Sequence, residues 1–239
     1  MMCDLPIPDS AKHLEFAKNI FFYPKAFEFN YDESSLLLED KNNIPRILHL
    51  IWVGDREPPS YVLENVQKWS ELMPDWKMTF WTNNDINSQH FSSEVIELIY
   101  NSQKGAQKAD IMRYHIIEKY GGVYLDSDIT PHRSLEPLIK QLPDTNVIFC
   151  HDLDLSWPYI SIGFFAAVPN NPVIQKACQL CHSFEINKEP LYMFTGPRLL
   201  GEAVATANSQ VILLPSKYFY HNDTYEGRFG HHWYAMEWK

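Results

Sequence analysis

Apolar and polar positions follow no sharp period through residue 43, and the pattern tightens from Ile44 onward. Residues 46–53 form a short, nearly continuous apolar run (Ile47, Leu48, Leu50, Ile51, Trp52, Val53) closed by Gly54, the mark of a strand buried on both faces. Residues 61–72 carry Val62, Val66 and Trp69, with Met73 just beyond, at helical spacing, and Pro74 stops that helix. A second strand is expected over 77–81, and helices over 92–100 and 105–120. Gly121-Gly122 ends the latter as a C-terminal breaker, and 123–125 reads as another buried strand. Beyond it the spacing predicts a helix near 135–141, strands near 147–150 and 160–168, a helix after Pro172, another over 198–207 and a last strand at 211–214. Strands alternating with helices predict an α/β fold built on a mainly parallel sheet. In such sheets ligands bind beyond the carboxyl ends of the strands. Residues 1–43, with Leu36, Leu37 and Leu38 able to pack on the body, read as an N-terminal extension, and 44–239 as the main domain.

Composition narrows the function classes. With 239 residues, 45% hydrophobic and 21% charged, the chain can bury a substantial core and is not disordered. Its net charge of −10 argues against a nucleic-acid binder driven by its whole surface, while leaving room for a local basic pocket. No window holds ~18 uninterrupted apolar residues, so no transmembrane segment is expected. The N-terminus has an early Asp4 and no apolar core segment, so it does not read as a secretory signal, and a cytoplasmic location is the expectation. On that view the Asn222-Asp-Thr224 sequon carries no weight. Cys3, Cys150, Cys178 and Cys181 are too sparse for a disulfide scaffold. Cys178-Gln-Leu-Cys181-His182 has the spacing of haem attachment, but it falls on an amphipathic helix with Val173, Ile174 and Ala177, and helix core is the better reading.

The sharpest chemistry is Gly121-Gly-Val-Tyr-Leu-Asp-Ser-Asp128. Two carboxylates, Asp126 and Asp128, follow directly from a buried strand, where unpaired acids are costly. Their hard oxygens suit Mg²⁺ or Mn²⁺, and such a cation can bind a diphosphate and stabilise its charge as it leaves. Asp126-Ser-Asp128-Ile-Thr130 also fits the phosphatase signature of the haloacid dehalogenase superfamily, with Asp126 as nucleophile and Asp128 as general acid. A third reading is a non-catalytic glycan- or nucleotide-binding module, for which Trp157, Tyr159 and Tyr225 offer aromatic surface. The phosphatase signature normally follows the first strand of its domain, whereas here more than a hundred residues precede it.

Five blocks in order carry a resemblance: Ile44-Pro-Arg-Ile-Leu-His-Leu-Ile-Trp-Val-Gly54, Ala109-Asp-Ile-Met-Arg-Tyr114, Gly121 to Asp128, Thr195-Gly-Pro197, and His231-His-Trp-Tyr-Ala-Met-Glu-Trp-Lys239. Together the chain from Ile44 resembles the DxD-containing retaining glycosyltransferases, which include fungal initiating mannosyltransferases and bacterial and viral glycan enzymes. The large clostridial toxin catalytic domains are more distant relatives. The resemblance implies a GT-A fold, a Rossmann-like twisted sheet flanked by helices, and transfer of a hexose-type sugar from a nucleotide sugar to a glycan or other hydroxyl acceptor. A UDP-sugar is favoured and a GDP-sugar is the alternative.

It also implies roles. Trp52 stacks on the nucleobase, and Tyr124 lines the base or ribose pocket. Asp110 and Arg113, three apart on one helix face, hold the donor sugar, with Arg113 reaching the diphosphate or the glycosidic oxygen as a fork of donors. Asp126 touches ribose or a metal-bound water, Asp128 ligates Mn²⁺ or Mg²⁺, His232 is a further ligand, and Trp238 donates its indole N–H to the leaving phosphate. The implied route is front-face: the acceptor hydroxyl attacks as the diphosphate leaves and takes its proton. The sequence departs from the family at two places. Glu237 stands where Ser usually precedes the Trp, and it adds a carboxylate that can ligate metal. Ile162 stands where an Asn usually helps hold the sugar, leaving Ser161 as the neighbouring polar side chain. Thr195-Gly-Pro197 can shape a turn beside the acceptor or simply start a helix.

Overall fold

The computed structural model describes residues 26–29, 31, 32, 42–142, 146–151, 160–183, 194–207, 209–220, 229–233 and 235. Along the chain run β1 (Ala26–Glu28), β2 (Ile47–Ile51), α1 (Ser60–Leu72), β3 (Lys77–Trp81), α2 (Ser93–Asn101), α3 (Gly105–Tyr120) and β4 (Gly122–Leu125). They are followed by β5 (Ile129–Pro131), α4 (Glu136–Gln141), β6 (Val147–His151), β7 (Ile160–Ala167), α5 (Pro172–Ser183), α6 (Pro197–Thr206), β8 (Val211–Leu214) and β9 (Gly230–His232). Seven strands form one sheet in the order β1-β8-β6-β7-β4-β2-β3, and β5 pairs with β9 in a second, small sheet. The β1–β8, β8–β6, β4–β2 and β2–β3 pairs are parallel, and β7 runs antiparallel to both β6 and β4. The chain therefore adopts the expected α/β fold with a mainly parallel sheet.

The apolar runs lie where both faces of the sheet are covered, so successive strand residues enter opposite layers. Phe149, Phe165 and Leu213 pack with α2, α3, α5 and α6, while Ile148, Phe164 and Ile212 pack with Trp69 of α1 and Leu138 and Ile139 of α4. Cys178 and Cys181 are buried on α5 as free thiols, pushed up by burial, which is the helix-core reading of that spacing. Apolar periodicity does not announce β1, β5 or β9, since three residues are too few to show alternation. β1 is the sheet's edge strand, so sheet pairing extends to residues before Ile44. The Leu36–Leu38 run, Cys3 and the Asn222 sequon lie outside the described residues, as do Trp157, Tyr159 and Tyr225. Among the described residues no helix is long and apolar enough to cross a membrane.

The turn from α3 into β4 delivers the acidic motif. Gly121 and Gly122 sit at φ +62° and +96°, where L side chains are strained. A Cβ on Gly122 would also lie 2.5 Å from the Ile47 carbonyl oxygen. The same turn is tied to β2 by His49, which is buried. Its Nε2–H donates to the Gly121 carbonyl at 2.9 Å and its Nδ1 accepts from the Trp81 indole at 3.0 Å. A carbonyl only accepts and an indole only donates, so the imidazole is the neutral Nε2–H tautomer. Burial holds its pKa at about 4, and protonating Nδ1 would also break the Trp81 bond.

The sign follows. As pH falls, His49 of the unfolded chain takes up its proton near 6.5 and folded His49 only near 4, so its contribution to stability is intact above that window and lost across it. The loss approaches about 3 kcal/mol, and His115 on α3, also lowered to about 4 by burial, adds to the slope. Urea unfolding at pH 7.5, 6, 5 and 4.5 is expected to show a falling midpoint, and His49→Gln, less stable at pH 7.5, is expected to fall less steeply.

Candidate active site

The carboxyl ends of β2 and β4 open on a cleft of about 520 Å³ lined by Trp52, Asp110, Arg113, Asp126, Asp128 and His232 among others. Its centre is a buried ionic cluster. Arg113, on α3, is 4% exposed. Its Nη2 pairs with Asp110 Oδ1 at 2.8 Å, and its Nη1 donates to Asp126 Oδ1 at 3.0 Å and to the Ile162 carbonyl at 2.8 Å. Its guanidinium lies over the Tyr124 ring, 4.5 Å from the centroid. Burial works against this charge, and Tyr124, Asp126 and Asp110 outweigh it, so Arg113 stays protonated. On Asp110, burial raises the carboxyl pKa against the pull of Arg113 and of Thr195, whose hydroxyl donates to Oδ2 at 2.7 Å. Burial also opposes ionisation of Asp126, but Arg113, His232 and the Tyr124 hydroxyl (2.7 Å to Oδ1) hold it down at about 2.

The small sheet supplies the other half. Register pairs Ile129 with His232, which sets the imidazole beside both acids of the motif. His232 Nε2 stands 3.3 Å from Asp126 Oδ2 and 3.1 Å from Asp128 Oδ1. Burial disfavours its charge, yet the two carboxylates raise its pKa to about 10. The Ala235 amide donates to Asp128 Oδ2 at 2.9 Å. One ligand atom from each of Asp126, Asp128 and His232 lies within 4.8 Å of the others. Two hard oxygens and one imidazole nitrogen converging in this way fit a divalent cation such as Mn²⁺ or Mg²⁺.

The site residues expected from the sequence meet in this cleft as far as they are described. Trp52 lines it, with its indole N–H donating to the Arg56 carbonyl at 2.8 Å. Arg56 and Lys104 also line it, a local basic contribution in an acidic protein. Tyr124 reaches the cleft too, but its hydroxyl is bonded to Asp126. Arg113 has Nε, Nη1 and Nη2 all engaged by its own chain, so what the geometry exhibits is the fixing of two acids. Glu237 and Trp238 lie outside the described residues. Asp126 has Oδ1 bonded twice and Oδ2 facing His232, a poor disposition for the nucleophile of a phosphatase.

Some participants escape sequence reading. Ser161 is not a free sugar contact: its hydroxyl donates to Tyr220 at 2.5 Å and accepts from the Gly163 amide. A Cβ on Gly163 would come 2.8 Å from Asp126 Oδ2 and 3.0 Å from the Tyr220 hydroxyl, so only glycine leaves room for that acid. A glycine inside a buried strand is the one trace this leaves in the sequence, and it does not name the partner. Thr195 is named in the Thr-Gly-Pro block, but its bond to Asp110, 85 residues away, leaves no trace in spacing.

Comparison with known proteins fits this geometry. The fold is GT-A: the chain superposes on a structure described as PaToxG glycosyltransferase with TM-score 0.58 at 15% identity, over 80% of this chain and 76% of that one. Residues 59–145 match the family described as the glycosyltransferase sugar-binding region containing a DXD motif, a stretch that holds the Ala109–Tyr114 and Gly121–Asp128 blocks. The chain is 27% identical over 196 residues to inositol phosphoceramide mannosyltransferase 1 of Schizosaccharomyces pombe, 74% of this chain and 57% of that protein. It is 34% identical over 96 residues to the uncharacterized glycosyltransferase L373 of Acanthamoeba polyphaga mimivirus, 38% of each. It thus spans little more than half of the first relative and less of the second.

Two outcomes are expected. Arg113→Met strands Asp110 as a buried charge, deprives Asp126 of its guanidinium partner and lowers stability by about 3–5 kcal/mol, read from urea midpoints; adding Asp110→Asn recovers part of the loss. A cation entering between Asp126, Asp128 and His232 takes the place of the His232 proton. Mn²⁺ calorimetry in buffers of different ionisation enthalpy is therefore expected to report release of about one proton at pH 7, with affinity rising toward higher pH and lost in Asp128→Asn.

Proposed function

We propose that this chain is a metal-dependent, retaining glycosyltransferase that moves a hexose-type sugar from a nucleotide sugar, a UDP-sugar first, to a hydroxyl of a glycan or other acceptor. The observation that carries the reading is the convergence of Asp126, Asp128 and His232 on one cleft with Trp52 and the Asp110–Arg113 pair. A divalent cation held by the first three supplies charge neutralisation for the donor's diphosphate. The indole of Trp52 offers a flat surface for the base. Asp110, held by Arg113 and Thr195, presents a fixed acceptor of hydrogen bonds to donor-sugar hydroxyls. Arg113 keeps Asp110 and Asp126 in place without itself reorganising, the preorganisation on which electrostatic catalysis rests. The reaction breaks the bond between the anomeric carbon and the diphosphate oxygen, forms one to the acceptor oxygen on the same face, and passes the acceptor proton to the departing diphosphate.

The test is release of nucleoside diphosphate from a panel of UDP- and GDP-sugars with Mn²⁺, Mg²⁺ or EDTA. The relatives' names add mannose to the donors and inositol phosphoceramide to the acceptors. Cation-dependent release from one donor is expected, reduced about a hundredfold or more in Asp128→Asn. No release from any donor, together with no calorimetric binding of UDP or GDP, would sink the proposal.

A further inference from the structure

We propose that Trp233 is a stacking platform for a pyranose ring of the acceptor, next to the cleft. The sugar's role as acceptor rests on the glycosyltransferase reading above; the binding itself does not. Trp233 is 61% exposed, unusual for an indole, and yet it is held. Its Nε1–H donates to Thr130 Oγ1 at 2.9 Å, Thr130 in turn donates to Asn65 Oδ1 at 3.1 Å, and Asn65 Nδ2 bonds the Ser127 carbonyl at 3.0 Å. Its ring meets that of His231 edge-on, 4.5 Å between centroids at 82°. A merely solvated side chain gains nothing from such fixing. A binding surface does, since an ordered ring loses less freedom when ligand arrives.

Position narrows the ligand. Trp233 directly follows His232 and stands two residues before Ala235, and both of those line the cleft and contact Asp128. Tyr61, another lining residue, is one turn before Asn65 on α1. Trp233 is not itself a lining residue, but its Thr130–Asn65–Ser127 chain of bonds ends on one, since Ser127 lines the cleft. Chemistry narrows it further. The indole N–H is already spent on Thr130, so Trp233 offers only its flat π-face, which suits the C–H-bearing face of a pyranose and has no donor left for a phosphate.

The probes are methyl α-D-mannopyranoside and methyl β-D-galactopyranoside, added to the full chain with Mn²⁺ in two arms. In the donor-free arm, millimolar glycoside is expected to shift tryptophan emission in wild type, and Trp233→Ala is expected to remove the shift. In the kinetic arm, Trp233→Ala is expected to raise acceptor KM about tenfold, and Trp233→Phe, which keeps an aromatic face, only about threefold. An emission change that survives Trp233→Ala, no response to either glycoside, or an acceptor KM within twofold of wild type overturns the proposal. So does Trp233-dependent binding to phosphatidylcholine vesicles without any glycoside response, which would make the residue a lipid contact. Absence of turnover with every donor defeats the proposed function alone, because the emission arm needs no donor.

Discussion

Arg113 is buried between two carboxylates that come from different parts of the chain: Asp110 from one turn earlier on its own helix, and Asp126 from the far end of β4. Burial works against the charge of each of these groups, and each is held ionised by its partners. Together with the Tyr124 ring and the Ile162 carbonyl they make one hydrogen-bonded unit that joins α3, β4 and β7. The pair's worth lies less in net stability than in placement, since a buried ion pair holds a geometry that an apolar substitute of equal volume would not.

That placement explains the strict demands nearby. β4 must end with Asp126 turned toward Arg113, so β7 passes with a glycine where any Cβ would strike the acid. Tyr124 is buried next to Arg113 and spends its hydroxyl on the same carboxylate. Asp126 Oδ2 is left facing outward to His232, and Asp128 lies beyond it. One oxygen of Asp126 therefore belongs to the fold and the other to the cleft side that His232 shares. This division lets a single acid serve both without choosing between them.

Much of this was legible in the sequence, and the reasons differ by element. Two-sided burial writes β2, β4, β6, β7 and β8 as apolar runs, and one-sided burial writes the helices as stripes. Asp126 and Asp128 stand out because they interrupt an apolar run at a strand end. His232 was reachable only through the resemblance, since adjacent histidines carry no pattern of their own. Three-residue strands have no period to read. Thr195, Tyr220 and Gly163 act through partners brought close only by folding, such as the Ser161–Tyr220 bond across 59 residues, and a linear pattern cannot hold that information.

The Asp126–Asp128–His232 group also depends on two distant parts of the chain meeting. Asp126 and Asp128 leave the main sheet directly, while His232 and Ala235 arrive on β9, with 107 residues separating Ala235 from the Asp128 oxygen it bonds. The β5–β9 pairing and the bond from the His232 amide to the Phe219 carbonyl bring the two halves together. Anything that binds all three ligands therefore binds the docked state of β9 and stabilises it by mass action. Occupancy of the acids and docking of the C-terminal segment are linked thermodynamically, and Trp233, pinned to β5 through Thr130, travels with that segment. A cation that completed the ligand set would thus also favour the docked position of the indole.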